Sequence, residues 1–511
     1  MRKRLLPFFL LSLCATALAM SGCSDDDQSP ADPTPADTAD SGTDDPADGG
    51  DETDSGDETD GGDETDGGDE TDAGEDAATD SGDETDSGTG DPQDAYDDVC
   101  RDSVVASPKG TYLAYKTCAG TEGVYLQKVA DGTRTLLTET RGDRMFFSLD
   151  EDYLFISGGG QVGLAVVNTS GTPNFKTLQD QNVTWAFVTP DGSKVVWSAN
   201  RKQLFAQKVD GSGTATKLLE WGGGDPTLSL YPPVVTPDGK HVIVSDSDSA
   251  YGFNYVVPVD GSAQAKKLDD RKLLLHPSSL TNTHVLASAV LSGVVTFEEF
   301  DIFNRTSTVI AGPQSERVVG DSVFWAVNGS QIHTWKRGDA TSRKLTDEGG
   351  QRFGTFANGG GIFWFGTEWL RARSVTEGAS PIDVLKHGDV IGDFYAVSPS
   401  DDLLIITVKD GEHGIQLASL TEADSGVYLD EEGVTKEGDT VGFNATYSHA
   451  LYFLGGIGSD NKTLRAAPLD THTPKTLVEN AKSWGAIPNS SKVFAYTHVN
   501  GYVTTLVVLD P

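Results

Sequence analysis

The 511-residue sequence contains none of the short motifs that mark the common catalytic sites. It has no His-Glu-x-x-His pair for zinc, no Gly-x-Ser-x-Gly nucleophile turn and no Gly-x-x-x-x-Gly-Lys-Ser/Thr phosphate-binding loop. It also lacks a sustained 3.6-residue apolar period, which argues against a helical solenoid. We therefore expect no cofactor, and an activity in binding rather than catalysis.

Basic residues are absent from one long segment. Residues 24–99 hold 31 Asp and Glu and no Lys or Arg, in a chain of net charge −40. A nucleic-acid partner is not expected, because phosphate binding needs a basic patch and none is visible. The segment repeats Gly-Asp-Glu-Thr-Asp-x from Gly50, Gly56, Gly62 and Gly68 and again from Gly82.

This acidic segment has almost no aliphatic or aromatic residues, so it cannot bury enough apolar surface to offset the entropy of ordering. We predict a disordered tether over residues 23–92. The calcium-binding alternative fits poorly, because the repeat lacks the ligand spacing of an EF-hand loop and the apolar residue of a calcium β-roll.

The first residues have the layout of a secretory signal peptide, with a basic start, a short apolar run and small residues. The segment ends in Met20-Ser21-Gly22-Cys23, which resembles the lipobox of bacterial lipoproteins. The resemblance implies a signal peptide over residues 1–22 and a lipid on Cys23, with Ser24 favouring the outer membrane. Ordinary signal cleavage that leaves a free cysteine is the alternative.

Two of the four cysteines remain after the leader and Cys23 are set aside. Cys100 and Cys118 form an even pair in a chain that leaves the cytoplasm. An oxidising compartment favours a disulfide between them, the alternative being two free thiols.

A turn followed by a β-branched strand recurs along the remaining chain. The clearest copies begin at Ser107, Ser148, Thr189, Thr236, Ser398 and Ile487, and weaker copies lie near Ser279, Val318, Ala357 and Asn444. Start-to-start intervals of 39 to 47 residues leave room for four short strands in each unit. Ten such units predict an all-β protein, a β-propeller of four-stranded blades over residues 93–511.

The Ser/Thr-Pro-Asp-Gly turn with its following apolar strand, as in Thr189-Pro-Asp-Gly192, resembles the WD40-like repeats of TolB and of the propeller domains of prolyl and dipeptidyl peptidases. The resemblance implies the fold and says little about function, since this propeller class hosts unrelated activities. The Gly-His and Trp-Asp pairs of true WD40 repeats are absent.

The last repeat ends at its third strand. We expect residues 93–99 to supply the missing outer strand and the cysteine pair to fasten that closing segment to the first blade. One continuous ring is the preferred arrangement, and two smaller rings in tandem are the alternative.

The longest insertion, Glu220 to Tyr231, carries the candidate ligand-binding residues. Trp221 and Tyr231 would form an aromatic platform with Asp225 as a polar partner, a combination that suits sugars, peptides or proteins. The alternative is that both aromatics pack between blades. Asp246 and Asp248 are weak candidates for a cation site, and a solvated turn is the alternative there.

The sequence thus favours a monomeric, lipid-anchored envelope module that binds a protein or a glycan. The second hypothesis is a glycan hydrolase or lyase with scattered acids in the propeller channel.

Overall fold

A computed structural model shows that the chain is built almost entirely from short antiparallel strands. The structure describes residues 96–511 except 140–141, 159–162, 181, 222–227, 229–232, 247–250, 292–293, 312–315, 328, 350–351, 367, 387–389, 410–411, 431–440, 456–461 and 501–502. The predicted signal peptide, Cys23 and the acidic segment up to residue 95 lie outside the described residues.

Successive groups of four strands form separate sheets, which we call blades. Strand β1 is Tyr96–Cys100, and blades 1 to 3 contain β2 (Val105–Ala106), β3 (Tyr112–Lys116), β4 (Val124–Lys128), β5 (Arg134–Thr138), β6 (Arg144–Phe147), β7 (Tyr153–Ser157), β8 (Leu164–Asn168), β9 (Phe175–Gln179), β10 (Val183–Val188), β11 (Lys194–Ala199), β12 (Gln203–Lys208) and β13 (Thr216–Glu220).

Blades 4 to 6 contain β14 (Val234–Val235), β15 (His241–Ser245), β16 (Asn254–Pro258), β17 (Lys266–Lys267), β18 (Lys272–His276), β19 (His284–Leu291), β20 (Val294–Asp301), β21 (Ser307–Ala311), β22 (Glu316–Val319), β23 (Ser322–Val327), β24 (Gln331–Lys336) and β25 (Arg343–Thr346), with a 3₁₀ turn at Pro277–Ser279.

Blades 7 to 10 contain β26 (Phe353–Thr355), β27 (Gly361–Phe365), β28 (Trp369–Ser374), β29 (Ile382–Lys386), β30 (Val390–Val397), β31 (Asp402–Lys409), β32 (Glu412–Ser419), β33 (Val427–Asp430), β34 (Gly442–Phe443), β35 (His449–Leu454), β36 (Lys462–Pro468), β37 (Lys475–Ala486), β38 (Val493–Asn500) and β39 (Val503–Leu509).

The turn between the first two strands of a blade is specified by its side chains. In blade 3, Thr189 Oγ1 accepts the Lys194 N–H at 3.1 Å and donates to Asp191 Oδ1 at 2.5 Å. Gly192 sits at φ +72°, which glycine adopts without the steric cost that a Cβ would bring. The same hydrogen bonds recur in the equivalent turn of blade 4.

The final blade is completed by the first strand of the described chain. Strand β37 pairs with β36 through its N-terminal half and with β38 from Ala481 onward, so it serves blades 9 and 10. Strand β1 then pairs with β39, and the order of this seven-stranded sheet is β1-β39-β38-β37-β36-β35-β34. The predicted closure by the segment ahead of Cys100 is confirmed.

The ring closes once, through ten blades. Ten clusters of buried apolar residues within the described part of the chain each join one blade to the next. The cluster that joins blade 10 to blade 1 contains Tyr496 and Leu506 on one side and Leu113 and Tyr115 on the other. Because every interface lies between consecutive blades, the chain forms one propeller and not two rings in tandem.

The two faces of the ring differ. On the face that we call the turn face, the turn between the first and second strands of one blade contacts the same turn of its neighbour at several interfaces. Such contacts are Asn489 Nδ2 to Pro108 O (3.0 Å), Lys109 N to Glu151 Oε1 (2.5 Å), Asp238 N to Asn282 Oδ1 (2.9 Å) and Asn444 Nδ2 to Ser491 O (3.2 Å). The opposite loop face carries the second-to-third-strand hairpins and the connections between blades.

The sequence of the third repeat predicts strands over residues 184–188, 194–198, 203–209 and 214–219, and the strands of blade 3 lie within two residues of these bounds. Trp197, Trp325 and Trp364 are buried in blade interfaces. Apolar side chains of neighbouring sheets therefore supply the core, and the burial of each sheet depends on the next.

Candidate functional site

Trp221 lies on the loop face at the interface of blades 3 and 4. It follows β13 directly, and its backbone N–H donates to Lys202 O at 2.9 Å. Its half-buried indole packs on the apolar cluster between the two blades and meets the ring of Tyr255 edge-on, with ring centroids 5.4 Å apart. Trp221 is thus a partly exposed member of a blade interface.

Tyr255 connects this tryptophan to a carboxylate. Its hydroxyl donates to Asp246 Oδ2 at 3.4 Å, and Asp246 Oδ1 accepts the Phe253 N–H at 2.9 Å. Burial, followed by the charge of Asp246 and this hydrogen bond, raises the pKa of Tyr255. The phenol therefore stays protonated and keeps its donor at neutral pH.

Arg201 holds the connection that follows Trp221. Its Nε donates to Leu228 O at 3.1 Å, and its own carbonyl accepts the Leu228 N–H at 2.7 Å. Leu228 is fully buried in the cluster of blades 3 and 4. These contacts fix Leu228 of the connection between blades 3 and 4 close to Trp221 and Tyr255.

We call Trp221, Tyr255 and Asp246 the aromatic–carboxylate group. It brings together residues from two separate sequence predictions, because Trp221 is a predicted ligand-binding residue and Asp246 a candidate cation ligand. Two ring edges beside a hydrogen-bonded carboxylate can take an apolar face and a hydroxyl or amide of a ligand. Asp225, Tyr231 and Asp248 lie outside the described residues, so the platform predicted with them remains a prediction.

Among the residues that the structure describes, no group of three or more His, Cys, Asp and Glu is arranged to hold a metal ion. Asp401 is the one described carboxylate whose pKa is raised, chiefly by burial, and it lies in a first-to-second-strand turn rather than in the channel. His241 and His333 lie in strands, and burial lowers the pKa of each.

Cys100 and Cys118 form the predicted disulfide, with Cα atoms 5.0 Å apart. It joins the end of β1 to the hairpin between β3 and β4, and so ties the closing strand to blade 1. No helix in the described part of the chain is long and apolar enough to cross a membrane.

Sequence reasoning missed Tyr255 and Arg201. In the sequence, Tyr255 is an ordinary aromatic residue of a strand, and Arg201 is an ordinary charged residue of a hairpin. Their roles depend on the packing of blade 3 against blade 4, and the sequence carried no local signal for either.

No family model matches the chain, and a search of curated proteins finds no match. Among solved structures, it is similar to a eukaryotic initiation factor, with 14% identity and a TM-score of 0.42 over 66% of this chain and 90% of that one. A putative TolB from Agrobacterium tumefaciens gives 18% identity and a TM-score of 0.25 over 40% and 79%. An oligogalacturonate lyase in complex with manganese gives 15% identity and a TM-score of 0.30, over 64% of this chain and 90% of that one. The assignment as a β-propeller accordingly rests on the sheets and their interfaces.

Proposed function

We propose that this protein is a lipid-anchored module of the bacterial cell envelope whose propeller binds a protein or glycan partner through its loop face. The observation that carries the proposal is the aromatic–carboxylate group, in which Trp221 and Asp246 are held on one side of a blade interface by Tyr255. Partly exposed aromatics beside a fixed polar group are frequent at recognition surfaces.

The difference between the faces supports the loop face as the binding surface. Several turns of the turn face are engaged with neighbouring turns. On the loop face, the hairpin of β19 and β20 ends in Leu291 and Val294, whose relative exposures are 61% and 60%. Two adjacent exposed apolar side chains at one hairpin tip offer a contact surface to a partner, whereas single ones are common on any protein surface.

The anchor is proposed from the sequence. Met20-Ser21-Gly22-Cys23 would place a diacylglycerol thioether on Cys23, and Ser24 favours the outer membrane. The acidic segment would span roughly 50 Å as a coil and further with charge repulsion. The propeller would then sample positions well away from the bilayer.

The test uses the full chain carrying Cys23→Ser as an immobilised bait in envelope extracts. We expect the bait to retain a specific component, and Trp221→Ala and Tyr255→Phe to reduce its retention. Tyr447→Asn is the matched control, because Tyr447 is an exposed aromatic on the turn face. Retention of nothing, or equal loss in all three variants, would contradict the proposal.

A further inference from the structure

A cleft opens on the turn face between blades 6 and 7, on the side opposite to the aromatic–carboxylate group. It has a volume of about 430 Å³. Its walls are the ends of β23 and β24, the turn that follows β24, the start of β25 and Val375 of blade 7. A cleft of this volume is large enough for a small molecule.

The cleft has a polar inner wall because of Thr334. Thr334 lies opposite Phe324 in the sheet, at a register position that faces the next blade. The same register position is apolar in eight of the nine other blades, where it is occupied by Leu126, Val166, Ala206, Val256, Ala372, Leu417, Ala466 and Val508. In blade 5 the position is Glu299, whose carboxylate accepts a hydrogen bond from Arg337. Thr334 is 4% exposed, and its hydroxyl donates to Val323 O at 3.0 Å, so its oxygen still has lone pairs that can accept a hydrogen bond.

Two cations border this wall. Arg343 pairs with Thr334 across the sheet, and one of its guanidinium nitrogens donates to Val375 O at the far side of the cleft. The ammonium of Lys336 has no hydrogen bond or ion pair with any residue that the structure describes. Both cations therefore have donors available to an anion.

Hydroxyl groups complete the lining. Ser322 and Thr341 face the cleft, and neither hydroxyl has a hydrogen-bond partner among the described residues. The carboxylate of Asp339 accepts the Lys336 N–H at 3.0 Å through Oδ2, so it is oriented by the turn and keeps one oxygen for a ligand hydroxyl. With two cations and one carboxylate, the cleft carries a net charge of about +1.

We propose that this cleft binds a small hydroxylated anion of the sugar-acid or sugar-phosphate type. The anionic group lies between Lys336 and Arg343, where it forms charge-assisted hydrogen bonds. The ligand's hydroxyls pair with Ser322, Thr341 and the free oxygen of Asp339. The site is independent of the loop face, so its failure would leave the proposed function standing.

The experiment titrates the purified full-length protein with D-gluconate and with glucose 6-phosphate, by calorimetry and ligand-observed NMR. D-glucose and inorganic phosphate are the matched probes that lack the charge or the hydroxyls. The variants are Lys336→Gln and Arg343→Gln, and Lys344→Gln is the control because its ammonium pairs with Asp347 outside the cleft.

We expect gluconate or glucose 6-phosphate to bind more tightly than either matched probe. Each cleft variant should weaken that binding about threefold or more, since Lys336 and Arg343 are exposed and solvent screens their charges. Lys344→Gln should leave it unchanged. The proposal is overturned if neither ligand binds at about 10 mM, if phosphate binds as tightly as both, or if the control variant weakens binding equally.

Discussion

Arg134 in the outer strand of blade 1 donates two parallel hydrogen bonds, of 3.1 and 2.8 Å, to the carboxylate of Asp98 in the closing strand. Its guanidinium also lies 3.8 Å from the ring centroid of Tyr125 and 4.9 Å from that of Tyr96. The closing strand is therefore fastened to blade 1 by charge and aromatic contacts as well as by its ladder with β39.

Arg134→Ala should loosen this fastening. The variant leaves the Asp98 carboxylate without its bidentate partner, and we expect a loss of about 1–3 kcal/mol in the free energy of unfolding. Hydrogen exchange should quicken in β1 and β39 before other strands. Arg371→Ala is the control, since Arg371 makes exposed ion pairs with Asp383 of blade 7 and with Glu348 in the connection before it, and it should cost less than about 1 kcal/mol. Equal effects of both variants would contradict this role.

The disulfide should stabilise the closed ring. Replacing Cys100 and Cys118 together by Ser removes a cross-link over 18 residues, and the chain-entropy model gives a loss of roughly 3 kcal/mol. Denaturant unfolding of the variant, and of the wild type with and without reductant, measures the change. An unchanged midpoint in both comparisons would show that β1 is held without the cross-link.

Asp401→Gly should stabilise the propeller. Asp401 occupies the turn position that glycine holds at Gly110, Gly192 and Gly239, and it adopts φ +65°. Its buried Oδ1 has no hydrogen-bond partner among the described residues, and its Oδ2 accepts a long hydrogen bond of 3.5 Å from Asn358. Glycine removes the strained left-handed backbone and the desolvated carboxylate. After the entropic cost of glycine, the free energy of unfolding should rise by about 1 kcal/mol. Ser400→Gly, one residue earlier, should instead destabilise. A lower melting temperature for Asp401→Gly would refute the assignment.

Stability should fall on mild acidification. Burial lowers the pKa of His241, His333 and His449 below the ordinary 6.5 that the unfolded chain retains. Below about pH 6.5 the unfolded state therefore binds protons that the folded state does not, and unfolding is favoured. Denaturant midpoints at about pH 7.5 and pH 5.5 test the direction. In the variant with all three histidines replaced by Gln, the fall in the denaturant midpoint between the two pH values should be smaller. An equal fall would show that other titratable groups cause it.

Cys23→Ser should release a soluble, folded propeller. The thiol is the proposed site of the lipid, and no helix in the described part of the chain is able to span a membrane. Fractionation of cells expressing the variant and the wild type measures the shift from membrane to soluble protein. A variant that stays in the membrane fraction would rule out the lipid as the sole anchor.

The ten blades were readable from the sequence, because a turn and the strand that follows it are neighbours in the chain and recur at intervals of 39 to 47 residues. Thr189 to Gly192 specify their hairpin with groups that lie within five residues of one another. The cysteine pair was also readable, since only Cys100 and Cys118 remain after the leader and Cys23.

The functional surfaces depended on contacts between blades. Trp221 and Asp246 meet through Tyr255 only because blade 3 packs on blade 4, and the cleft at Thr334 exists only because blade 7 stands opposite. By itself, the sequence determined blades 1 to 9, because the strands and turns of each of these blades are neighbours in the chain; blade 10 is completed by β1 from the other end of the described chain. Tertiary structure decided which side chains from different blades share a surface, because the ring packs groups together that are tens to hundreds of residues apart.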